Sequence, residues 1–144
     1  MMDIDTYMAE SMNRQFEWGV FDCFLFAAGA VQAKTGADHM EGLRGYRSET
    51  SAAILLQDRF GTLSLRDVFM ELAGAVGAKE VAHIQQCTNG DIACVEWPKK
   101  FQKPTDIDQS CGLGVVYRDR VYVCLPKGVT LIPATHRVID YWSF

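Results

Sequence analysis

A chain of 144 residues, 49% apolar and 22% charged, has the length of one domain and enough apolar side chains to close a core. Its net charge of −4 gives no electrostatic basis for nucleic-acid binding. No apolar run approaches the ~20 residues of a membrane span, and the acidic start "MMDIDTYMAESMNRQ" lacks the basic-then-apolar order of a secretion signal, so synthesis and folding in the cytoplasm are expected.

The first half reads as helical. Residues 4–15 form an amphipathic segment with Ile4, Tyr7, Met8 and Met12 on one face. Phe16 to Asp22 is a connector. A second helix is expected from about Asp22 to Thr35, with Gly36 as its stop. It is apolar nearly all round, from Phe24 through Val31, which is the composition of a central buried helix. After a Gly-containing loop from Ala37 to Tyr46, Ser48 to Phe60 reads as a third helix ending at Gly61. Ser64 caps a fourth, with Asp67 three residues on in a capping-box arrangement, and Leu65, Val68, Phe69, Leu72 and Val76 follow at helical spacing.

From residue 80 the pattern changes to strands. "NGD" at 89–91 is a turn signal, and "IACVEW" after it places Ile92, Cys94 and Glu96 on one side of a strand. Pro98 to Pro104, "PKKFQKP", reads as a solvated loop. "LGVVYRDRVYVCL" reads as a hairpin around Arg118-Asp119-Arg120, and "VTLIP" and "HRVIDYW" as two further short strands. The closing "DYWSF" fits either a last strand or a partner-binding tail. Helices first and antiparallel strands after define an α+β domain, with the helices packed on one face of a small sheet.

Five cysteines, at 23, 87, 94, 111 and 124, contain no CxxC pair, so neither a disulfide framework nor a zinc site is expected. A cluster on Cys87, Cys94, Cys111 and Cys124 would have none of the usual ferredoxin spacings. No metal or other cofactor is expected, and most of these cysteines read as core residues. Cys23 differs. At the head of a helix, the open N–H groups and the helix dipole favour its thiolate, while Asp22 opposes it in charge unless that carboxylate caps the helix. The residue reads either as a nucleophile or as a small buried apolar side chain.

"WGVFDC" followed by an apolar helix resembles the "WG…DCSG" signature of the NlpC-type, papain-like cell-wall peptidases, in which the cysteine is the nucleophile. "NGDIACVEW" is similar to that family's "GD" turn and first sheet strand, and "CGLGVVYRDRVYV" to its "HVGIY" hairpin. The whole layout also resembles small proteins encoded in the tail gene clusters of long-tailed phages and related gene-transfer particles. Their pattern is matched by Phe16, Trp18, Gly19, Asp22 and Cys23, then Gly36, Asp38, Leu43, Arg44, Gly45, Tyr46 and Ser48. The resemblance implies a papain-like, NlpC-type fold in a tail-tip or baseplate protein of the virion, with other tail-tip and hub proteins as partners.

Aligned on Gly114, the family's catalytic histidine falls at Gly112, which can take no proton, and Phe24-Leu25 replace the Ser-Gly after the nucleophile. This implies a structural protein with an inactive cleft. The rival is a cysteine endopeptidase or amidase that cuts peptidoglycan during phage entry, with Cys23 attacking and His136 or His83 as base. His39, in the loop at the far end of the central helix, is a poorer candidate. A third reading is a non-viral cysteine hydrolase or a metal-cluster protein. Trp18 reads as an aromatic anchor closing the connector or as a wall of the substrate cleft.

Overall fold

The computed structural model describes residues 2–97, 111–133 and 136–144. The basic segment from Pro98 to Pro104 lies outside the described residues.

Four helices come first. In α1 (Ile4–Ser11), Asp3 caps the helix by accepting the Thr6 N–H. It is shorter than the periodicity predicts. The Asn13 side chain donates to the Ala9 carbonyl, and the chain turns so that the Arg14 guanidinium lies 4.3 Å over the Phe21 ring. α2 (Cys23–Thr35) starts behind Asp22 and stops at Gly36, whose φ of +84° is the left-handed conformation a glycine adopts at least cost. Phe26, Ala27, Ala30 and Val31 are buried, so α2 is the central helix its composition predicts. α3 (Glu49–Phe60) carries a capping box made by Ser48 and Ser51. In α4 (Leu65–Ala75), Ser64 accepts the Asp67 N–H.

The strands are β1 (Lys79–Val81), β2 (Ile92–Glu96), β3 (Cys111–Tyr117), β4 (Arg120–Leu125), β5 (Gly128–Leu131) and β6 (Arg137–Ser143). They form an open antiparallel sheet in the order β1-β6-β2-β3-β4-β5. The last strand therefore enters the sheet between β1 and β2, with Ile92 opposite Trp142 and Cys94 opposite Asp140. All of "DYWSF" but the final Phe144 belongs to β6, and its Trp142 packs edge-on against Phe69 of α4 at 6.4 Å.

Side chains alternate between the two faces of the sheet. Ile92, Cys94, Leu113, Val115, Cys124 and Trp142 share one core with α2 and α4. Ala93, Val95, Val116, Val121 and Val123 form a second core on the opposite face. Among the described residues no helix is long and apolar enough to cross a membrane.

The β3–β4 hairpin pairs Tyr117 with Arg120, leaving Arg118 and Asp119 as a two-residue turn with φ of +51° and +61°. Both residues sit in the region that Asn-Gly occupies more cheaply. The Arg118 N–H donates to Asn89 Oδ1 at 2.8 Å, which helps hold the turn. Replacing Arg118-Asp119 by Asn-Gly should stabilise the protein by about 1 kcal/mol, read as a higher urea midpoint at unchanged slope. A lower midpoint would mean that the Arg118 guanidinium, 5.1 Å over the Tyr117 ring, outweighs the backbone strain.

Candidate functional site

The head of α2 is organised by one carboxylate. Asp22 is only 1% exposed and lies in extended backbone just before the helix. Its Oδ1 accepts the N–H groups of Phe24 at 3.1 Å and Leu25 at 2.9 Å, which are two of the first-turn donors left without partners inside the helix. Its Oδ2 accepts the Gly19 N–H at 3.1 Å and the Tyr46 hydroxyl.

The connector and the 37–47 loop close on this carboxylate. Glu17 and Phe21 exchange two backbone hydrogen bonds of 2.8 Å, folding the connector into a tight loop. Gly19, at φ +75°, passes so close to the loop that a Cβ would lie 1.9 Å from the Tyr46 carbonyl oxygen. Phe16 packs on the core and Trp18 meets its ring edge-on at 5.0 Å. Arg44 grips Asp38 with two hydrogen bonds of 2.7 and 2.9 Å, and this guanidinium holds the Asp38 carboxyl below its ordinary value. Tyr46 is raised by burial and by the charge of Asp22.

Cys23 is the first residue of α2 and part-exposed, and it packs at the edge of the core that holds Cys124 of β4. Its thiol is pushed well above the ordinary range, first by burial, then by the negative charge of Asp22 and by Cys124. The N–H groups of Phe24 and Cys23 act in the other direction, and burial and charge outweigh them. Cys124 is itself pushed up to about 12 by burial and Asp22. A nucleophilic cysteine needs the opposite setting, a positive neighbour or an adjacent base that favours the thiolate.

The three histidines lie elsewhere. The His136 ring, just ahead of β6, meets the Trp97 ring edge-on at 4.4 Å, and burial lowers its proton affinity. The Trp97 indole covers Gly112, where an added Cβ would lie 2.4 Å from Nε1. Gly112 alternates with Leu113, which faces α2, and shares parity with Val116 of the second core. Gly112, Trp97 and His136 thus form a unit on the face of the sheet turned away from α2. His83 is exposed beyond β1, at the start of a 3₁₀ turn (Ile84–Gln86), with its N–H held by the Gln86 side chain. Strands β6 and β2 separate β1 from β3. His39 lies near Phe144, past the C-terminal end of α2.

The position on β3 that faces α2 beside Cys124 is taken by Leu113, in the same core. Of the cysteines weighed as a cluster, Cys94 and Cys124 lie in the core under the helices and Cys87 in the opposite one. Among the described residues no group of three or more His, Cys, Asp or Glu side chains is placed to hold a metal ion. Reading the sequence missed that Cys23 and Cys124 share one core, because nothing in the chain order signals which strand lies under the helix head. Asp22 as a cap was legible; its reach to Gly19 and Tyr46 was not.

The fold and site together define an α+β domain with helices on one face of an open antiparallel sheet and a cysteine at the head of the buried helix, directly after the carboxylate that caps it. Over residues 2–144 the chain matches the family described as "Domain of unknown function (DUF6950)", and it belongs to that family. No curated protein and no solved structure matches it.

Gly19→Ala should cost about 3 kcal/mol or more, since it combines a strained φ with a backbone clash. Tyr46→Phe should cost about 1–3 kcal/mol by removing a donor to a buried carboxylate. Urea unfolding checks both, and a neutral Gly19→Ala would refute the close approach. Because burial raises Cys87 to about 11 and Cys124 to about 12 from an ordinary 9.0, the folded state holds these protons more tightly than the unfolded one. Their contribution is complete below pH 9 and is lost as pH rises toward 12, so the urea midpoint should hold steady from neutral pH and fall across that window.

Proposed function

We propose that this chain is a structural component of a phage or phage-like tail tip, built on an NlpC-like papain fold whose cleft does not cut. The observation that carries the non-catalytic part is geometric: Cys23 directly follows the capping Asp22 carboxylate, His136 packs on Trp97 across the sheet, and His83 lies beyond β1. The tail assignment rests on the shared sequence pattern. Residues of that pattern meet in one assembly: Gly19, Asp22 and Tyr46 in the clamp, Asp38 and Arg44 in the loop fork, Ser48 at the cap of α3. Each has a structural task, which supports reading the pattern as the signature of a scaffold. Its partners are other tail-tip and hub proteins.

Three measurements test this. Native Cys23 should react with iodoacetamide far more slowly than the same thiol in urea, with a rate still climbing at about pH 10; a plateau near neutral pH would reveal an activated thiolate. Wild type and Cys23→Ala should both leave purified peptidoglycan intact. Clearing by the wild type alone would establish the cysteine endopeptidase or amidase instead. Mass spectrometry of purified tailed particles should find the chain at a low, fixed copy number, and its absence would remove the tail-tip assignment.

A further inference from the structure

We draw no further inference here: the strongest candidate, the open groove on the outer face of α3 around the exposed Ile54, bounded by Thr50, Gln57 and Leu63, is an unpartnered surface, and nothing in the structure shows what covers it.

Discussion

The arrangement at the head of α2 depends on the hydrogen bonding of the buried Asp22 carboxylate. An ionised carboxylate out of water is costly unless its lone pairs are filled, and here four donors fill them. The donors come from three segments: the connector, the first turn of α2 and the loop ahead of α3. One side chain therefore sets where the central helix begins, how the connector enters it, and where Tyr46 and the α3 cap lie. The same charge stands next to Cys23. A carboxylate that starts the helix also opposes the thiolate, so one side chain both caps α2 and works against ionisation of its neighbour.

Two more buried carboxylates repeat the device. Asp91 takes Lys34 from the end of α2, the Thr88 N–H and the Phe144 N–H, joining helix, turn and last strand. Asp140 on β6 takes Arg66 of α4 through Nε at 3.0 Å and a terminal nitrogen at 2.8 Å, and the Trp142 indole N–H at 3.0 Å. With Asp22 at one end of α2 and Asp91 at the other, the buried helix is fixed along its axis, which apolar packing alone specifies weakly. Such pairs add little net stability over a well-packed apolar substitute, and losing one partner is what costs. Their effect here is to define position.

Much of this fold could be read from the chain. The all-apolar run of α2, the glycine stops at 36 and 61 and the serine caps at 48 and 64 each act within a few residues, so local chemistry decides them. The hairpin was legible because two valine-rich runs flank a short polar turn. What was not legible is long-range. β1 is three residues, too short for an alternation to show, and it exists only because β6 pairs with it. The position of β6 between β1 and β2 follows from Asp140 and Trp142 meeting α4, contacts that no spacing announces. The start of β3 misled for a definite reason. In "CGLGVVY" two of the first four residues are glycine, so the strand carries little apolar or polar signal of which side faces the helices. Alignment with the peptidase pattern could place a missing histidine at 112; it could not show that this position looks away from Cys23.

That orientation bears on how such a domain changes over generations. A single substitution can set a side chain beside the Cys23 thiol only where the strand already faces α2. Here the strand presents Leu113 to the helix and Gly112 to an indole that fills the space a side chain would need. A histidine arriving at 112 would displace Trp97 and still lie across the sheet from the thiol. Bringing position 112 to the side of the thiol would require the strand to shift by one residue, reversing every side chain along it, and the two cores packed on either face resist that shift. Packing on both faces of the sheet therefore fixes which side of β3 meets α2.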